Sequence, residues 1–223
     1  MTTAQTPAER FAAQRHTMVD VQLRRRGIRD ERLLVAMARV PRHEFVADDY
    51  HEQAYEDHPV PIGEGQTLSQ PFIVALMLEA LLLTGTETVL EVGTGSGYEA
   101  ALLAELTRMV YTVERHESLA RSAEEVLVRL GYANVRVLVG DGSQGLPEHA
   151  PFDAIVVSAA APRIPQALFE QLRDGGRMVV PVGPAQAQEL QLVRKQEGRA
   201  MVSSLEGCRF VPLIGDQGYH EGW

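Results

Sequence analysis

Cysteine is almost missing from this chain: Cys208 stands alone among 223 residues. One thiol can form neither an internal disulfide nor a thiolate metal cluster, which excludes a disulfide scaffold and a zinc knuckle. The seven histidines fall in no His-x-x-x-His or His-Glu-x-x-His spacing, so metal dependence is not expected. No apolar run approaches the length of a membrane span. The N-terminus lacks a basic start followed by an apolar stretch, so no signal peptide is expected and the cytoplasm is the default location. Basic residues are in deficit, with Lys+Arg 21 against Asp+Glu 30 and a net charge of −9. That balance argues against a broad nucleic-acid surface, which needs a basic stripe to neutralise phosphates, although Arg24-Arg25-Arg26 leaves a local patch. What remains is an ordinary globular composition, 45% hydrophobic and 23% charged, at a length suited to one domain with a small appendage.

The stretch that organises the chain runs from Val89 to Tyr98. Val89, Leu90 and Val92 read as a buried parallel strand. Gly93, Gly95 and Gly97 break it, and helical spacing resumes from Glu99 to Leu106. A strand turning through glycines into a helix N-terminus brings bare backbone N–H groups close to a ligand. A phosphate-binding loop would need a lysine after the last glycine, and a dinucleotide fingerprint would need glycine at Tyr98. The acidic-x-Gly-x-Gly-x-Gly pattern that is left resembles the S-adenosylmethionine loop of Rossmann-like methyltransferases. A glycine-rich turn that binds nothing can carry the same pattern, because such short motifs recur by chance. The neighbours tilt the balance. The strand Val110–Val113 ends at Glu114, where a ribose diol is gripped in this architecture. The strand Val135–Val139 runs into Gly140-Asp141-Gly142, which places Asp141 on the same sheet edge, suited to accept from an adenine amino group.

Upstream, Pro7 to Arg26 reads as one amphipathic helix closed at Gly27, and Asp30 as the N-cap of a second with Leu33, Leu34, Met37 and Val40 inward. Pro41 to Val46 reads as a linker with an apolar anchor. Tyr55 to Pro71 is rich in proline and glycine and reads as neither helix nor regular strand; loops of that length are often functional. Ser69 has two readings there. It is the N-cap of a helix from about Phe72 to Leu83, with Ile73, Leu76, Met77 and Leu81 as its core stripe, or a hydroxyl placed with that of Thr67 near a methyl donor. Downstream, strands near Thr88–Val92, Val110–Val113, Val135–Val139 and Ala154–Val157 alternate with helices near Tyr98–Leu106 and Glu117–Leu130. A helix Gln166–Leu172 ends at Asp174-Gly175-Gly176 and leads to a strand Arg177–Val182. Glu189–Arg194, Ala200–Leu205 and Arg209–Leu213 then read as strands with no helices between them, so antiparallel pairing is expected. Gly215 to Trp223 reads as a tail or final clasp.

With these segments in view, the chain closely resembles the protein-L-isoaspartate O-methyltransferase family over nearly its whole length. Four blocks carry the resemblance: Asp57 to Pro71 (DHPVPIGEGQTLSQP), Pro151 to Pro162 (PFDAIVVSAAAP), Gly175 to Gly183 (GGRMVVPVG) and Arg209 to Leu213 (RFVPL). Ser158 and Leu68 depart from the usual residues without removing a polar group. The resemblance implies a doubly wound, mostly parallel α/β fold of the Rossmann-like methyltransferase class. An N-terminal helical extension (1–54) would precede the S-adenosylmethionine-dependent domain (55–214) with its antiparallel C-terminal edge, and a tail (215–223) would follow. It implies a cofactor, S-adenosyl-L-methionine, held by Glu91 and by Gly93, Thr94, Gly95, Ser96 and Gly97, with Glu114 on the ribose and Asp141-Gly142 on the adenine. Thr67 and Ser69 match the family's active-site hydroxyls, and Asp57 is counted with them as catalytic. Ile62 belongs to the substrate-side loop. Ala159, Ala160, Ala161 and Pro162, with Phe210, Val211, Pro212 and Leu213, match the walls that hold an extended peptide.

The implied activity is methylation of the free carboxylate of L-isoaspartyl residues in damaged proteins and peptides, which begins repair through a succinimide. A monomer is expected, with no nucleic acid, membrane or metal partner. Two other readings stay open: a related carboxyl methyltransferase acting on a dedicated peptide or small molecule, and a non-catalytic cofactor-binding module. The chemistry favours catalysis without a strong base. A carboxylate is already ionised near neutral pH. The site needs only to strip water from it and align it, and neutral hydroxyls do that without quenching its charge.

Overall fold

In the computed structural model, residues 6–184 and 186–220 are described. Helix α1 (Pro7–Thr17) starts from a capping box between Thr6 and Glu9. The expected single helix to Arg26 changes gauge twice: Met18–Leu23 is a π-helix and Arg24–Arg26 a 3-10 turn. Gly27, at φ 106°, ends the run as expected. The wider turns bury Met18, Val19 and Leu23 together, a change of phase that an even 3.6-residue count does not register. Asp30 caps α2 (Glu31–Arg39), its side chain accepting from Arg32 N and Leu33 N, and Leu33, Leu34, Met37 and Val40 are buried. The supposed linker after Pro41 holds a 3-10 turn, Arg42–Phe45, with both end residues buried.

Tyr55 to Pro71 is the largest correction. It contains a hairpin, β1 (Val60–Gly63) against β2 (Gln66–Leu68), with Pro61 opposite Thr67. Glu64 and Gly65 at the turn both have positive φ, 51° and 69°, which matches the twist of a two-residue hairpin connection. Proline is tolerated because a lone two-stranded ribbon has only edge strands. Helix α3 spans Pro71–Ala80 and buries Phe72, Val74, Ala75, Met77 and Leu78. The expected stripe holds at Met77 and Leu81, which are buried, and fails at Ile73 and Leu76, which are only half-buried. A helix that is apolar on nearly every side offers no stripe to phase.

The main sheet has the order β5-β4-β3-β6-β7-β8-β9, formed by Thr88–Val92 (β3), Met109–Glu114 (β4), Val135–Val139 (β5), Phe152–Val157 (β6), Leu172–Val182 (β7), Gln188–Gln196 (β8) and Arg199–Cys208 (β9). β3 pairs in parallel with both β4 and β6, β4 with β5, and β6 with β7. β7, β8 and β9 pair antiparallel, as expected for strands with no helices between them. Helices α4 (Tyr98–Leu106), α5 (Glu117–Arg129) and α6 (Gln166–Gln171) make the crossovers. Alternate strand residues feed two cores. Val89, Val110 and Val156 join the N-terminal helices, α3 and α4 on one face; Leu90, Val92 and Val157 join Leu168 of α6 on the other.

Two boundaries differ from the sequence reading. β7 begins five residues before Arg177, so Asp174, Gly175 and Gly176 lie in a strand, and not in a turn after α6. Gly176 is needed there, because a Cβ would sit 2.9 Å from the carbonyl oxygens of Arg173 and Asp153. Arg209–Leu213 is no strand of the sheet. It makes a single parallel bridge, Pro212 to Ala160, with Ala160 N to Val211 O and Leu213 N to Ala160 O at 2.8 Å each.

Candidate active site

Strand order reverses around β3, whose successors step outward to β4 and β5 on one side and to β6 on the other. Such a switch point opens a crevice beyond the strand ends. The glycine turn lies there. Gly93 N and Thr94 N both donate to Val113 O, at 2.9 and 3.3 Å, and Gly95 N donates to Glu114 Oε2 at 2.9 Å. Gly93, Gly95 and Gly97 have φ of 95°, 53° and 88°, a left-handed run that side chains resist. A Cβ on Gly97 would press on Ala123 and Leu127 of α5 at 3.1 and 3.3 Å. The third glycine therefore lets α4 and α5 pack, while the first two shape the cavity.

That cavity, about 300 Å³, lies over the turn, with Glu91 at its floor and Glu114 at the end of β4 among its lining residues. The size suits a small-molecule site. Thr112 Oγ1 donates to Glu91 Oε2 at 2.5 Å and is itself 2.6 Å from Thr94 Oγ1, a chain of hydroxyls that orients the buried carboxylate. Glu91 Oε1, Glu99 Oε1 and Ser96 Oγ are buried without partners, and all three residues line the cavity. Burial pushes the Glu91 carboxyl well up, with the charge of Glu99 adding to it; burial alone moves Glu99 up to about 7, against a hydrogen bond from Ser158. Two acidic side chains, each with an unpartnered oxygen, and a buried hydroxyl fit a polar ligand that carries positive charge.

A second cavity, about 540 Å³, opens between the β1–β2 hairpin, the start of α3 and the segment 207–211. Thr67, Ser69, Ser158 and Val211 line both cavities, so these four form the partition. Ser69 is not a helix cap. The N-cap of α3 is Gln70, and no side chain makes a capping hydrogen bond there. Instead, Ser69 is held through its backbone: Arg42, fully buried, donates from Nη2 to Ser69 O at 2.7 Å and from Nε to Ala54 O at 2.6 Å. Burial lowers the Arg42 pKa from its ordinary range. Cys208 lines the second cavity, but burial and the charges of Glu189 and Glu206 push its thiol up to about 11, so it stays neutral and weakly nucleophilic.

Other expected residues fall elsewhere. Ile62 lines the first cavity, on the glycine-turn side, where a Cβ on Gly95 would approach its Cδ1 to 3.1 Å. Asp57 lines neither cavity and pairs with Arg26 at 2.6 Å. Ala159 lines the first cavity, whereas Ala160 and Ala161 are buried in backbone bridges and Pro162 is exposed. Phe210 lines the second cavity; Pro212 and Leu213 line the first. Gly142 reaches the first cavity, and its packing is tight, since a Cβ would lie 2.6 Å from Val92 Cγ1. Asp141 points to the C-terminal segment: its carboxylate accepts from Ser143 N and from Asp216 N, both at 2.9 Å. Burial would raise its pKa, but these donors outweigh burial and lower it. Gln217 N donates to Ser143 Oγ and Tyr219 O–H to Gly183 O, so the expected clasp exists through Tyr219. Glu221 to Trp223 lie outside the described residues. Arg42, Glu99 and Ser158 were not singled out as site residues by motif. Glu99 stands two residues after Gly97, in the first turn of α4.

Residues 13–218 match the family model for protein-L-isoaspartate(D-aspartate) O-methyltransferase. The protein-L-isoaspartate O-methyltransferase of Koribacter versatilis is 59% identical over 209 residues, which cover 94% of each chain. That of Methanoculleus marisnigri is 55% identical over 92% of this chain and 94% of its own. The chain belongs to this family. A solved protein-L-isoaspartate O-methyltransferase superposes with a TM-score of 0.83 at 31% identity, over 92% of this chain and 67% of its own. A Plasmodium falciparum beta-aspartate methyltransferase structure, in complex with S-adenosyl-L-homocysteine, superposes with a TM-score of 0.79 at 27% identity, over 90% and 98%. The switch-point crevice of this family member is therefore the place to look for its cofactor. Among the described residues, no group of metal-ligating side chains and no membrane-length apolar helix occurs.

Proposed function

We propose that the two cavities divide one reaction, the transfer of a methyl group from S-adenosyl-L-methionine to the free carboxylate of an L-isoaspartyl residue in a protein or peptide. The observation that carries this reading is the partition: two hydroxyl-bearing residues, Thr67 and Ser69, face both the glycine-turn cavity and the open groove. The cofactor, when bound, supplies a sulfonium methyl group open to in-line displacement. Glu91, Gly93 and Gly95 line the end that holds it, and Glu114 and Gly142 stand where the nucleoside is gripped. Phe210, Val211 and Ile73 give the groove apolar walls that remove water from an extended peptide. Ser69 and Thr67 orient the acceptor carboxylate by neutral hydrogen bonds and leave its charge intact. Arg42 is a positioning residue, since it fixes the backbone that carries Ser69. Asp57 anchors the hairpin approach through Arg26 and does not touch the acceptor.

The substrate assignment predicts a sharp preference. An isoaspartyl peptide should accept labelled methyl groups at least about 100-fold faster than its aspartyl counterpart, because one extra main-chain methylene displaces the carboxylate by about 1 Å. Equal rates would reassign the chain as a general carboxyl methyltransferase. Binding of S-adenosylhomocysteine with no transfer to either peptide would leave a dedicated acceptor of another kind.

A further inference from the structure

The glycine motif accounts for Glu91 but not for Glu99. We infer that Glu99, together with Glu91, receives the α-ammonium group of the cofactor, and that the pair gives up a proton to solvent when this cation enters. The inference rests on the cofactor reading above and deepens it.

Both side chains are buried, Glu99 at 7% exposure and Glu91 at 0%, and both line the same cavity. Each has one oxygen already satisfied: Thr112 donates to Glu91 Oε2, and Ser158 donates to Glu99 Oε2. Each keeps its other oxygen, Oε1, buried and without a partner. Two unsatisfied acceptors at one cavity floor call for a multivalent donor, and an ammonium group brings three N–H bonds. The charges acting on Glu91 are those of Glu99 and Glu114, both negative. The other groups around the pair are hydroxyls, Thr94 on the turn and Ser158 after β6, with Tyr98 of α4 beside the buried Arg42 beneath. Glu64, Arg115 and His116 stand among the lining residues of the same cavity. Like charges sharing a desolvated site cannot both ionise at ordinary cost, so the free pair retains a proton near neutral pH. Entry of a cation reverses the balance. A carboxyl O–H bond breaks, its proton passes to water, and ammonium N–H groups donate to the freed carboxylate; no covalent bond of the cofactor changes.

Calorimetric titration of the full chain with S-adenosylhomocysteine, in two buffers of different ionisation enthalpy, counts that proton. At pH 7.2, well below the range in which the ammonium of a free α-amino acid loses its charge, the parent should release between about half and one proton per ligand. Its affinity should fall by about tenfold between pH 7.2 and 5.5, as the pair takes up protons that the cation must displace. Glu99→Gln should lose most of the release and flatten that pH dependence. Ser158→Ala withdraws the hydrogen bond that favours ionised Glu99, so it should release more protons than the parent at pH 7.2, which tests the idea even if the Gln variant folds poorly. 5′-Methylthioadenosine, which has no ammonium group, should bind without release. Equal proton release by parent and Glu99→Gln, or by the two ligands, would overturn the inference. Failure of S-adenosylhomocysteine to bind at all would instead overturn the cofactor reading.

Discussion

The two cavities that meet at Thr67 and Ser69 were built in different ways. The floor of the cofactor cavity is made by neighbouring residues of one strand, one glycine turn and one helix, from Glu91 to Glu99, while the hairpin, the start of α3, other strand ends and residues 211–214 supply the rest of its lining. The acceptor groove is made where two distant stretches of chain meet, the hairpin with the start of α3, and the segment from residue 186 to 211. The floor of the first is local backbone geometry, which glycine at positive φ and buried β-branched strands impose directly. The second exists only because distant segments pack, and its key serine is steered by Arg42, 27 positions away.

The largest effect expected from this contrast is at the partition. Ser69→Ala should lower kcat about 100-fold while S-adenosylhomocysteine affinity barely moves, since on the proposed mechanism the hydroxyl orients the acceptor, and it makes no cap. The melting transition should shift by no more than about 0.5 kcal/mol equivalent. A folded Ser69→Ala enzyme working at the parent rate on isoaspartyl peptide would break the two-cavity division.

A smaller effect is expected where the two modes overlap. Asp141 ends a strand, as a local feature, yet its carboxylate holds the returning C-terminal segment through Asp216 N. Asp141→Ala should cost the ligand-free protein about 1–3 kcal/mol, because donors at Ser143 and Asp216 lose their acceptor. Denaturant melts and proteolysis after Leu213 measure this directly. No change in either would mean that the clasp is carried by Tyr219 alone.

The smallest effect is expected at Asp57. Its partner Arg26 is exposed, and such a surface pair contributes about 0–1 kcal/mol. Asp57→Asn should leave kcat within about twofold of the parent, with that small loss of stability. A hundredfold loss of kcat at unchanged stability would return Asp57 to the active site and place the acceptor on the far side of the hairpin.

Legibility followed the range of the interactions. β3, α4 and β5 were readable to the residue, because short continuous apolar runs and a glycine turn leave a dense local pattern. The β1–β2 hairpin was missed because Pro59, Pro61 and the glycines read as loop, while its register depends on cross-strand pairing that no local count contains. The strand reading of Arg209–Leu213 failed for a related reason. An apolar run of that length suits a strand, yet its partner is a single bridge at Ala160, chosen by where the chain returns over the cavity.

By itself, the sequence determined the alternation of strands and helices, the glycine turn and the carboxylates at the ends of β3 and β4. These follow from backbone sterics and the period of apolar residues within one element. Only the tertiary structure decided that Ser69 is free of capping, that Arg42 holds it, that Asp141 is shared with the C-terminal segment, and that Glu99 joins Glu91 in one desolvated site. Each of those depends on which buried polar group meets which partner, and a buried polar group finds its partner through packing across the fold.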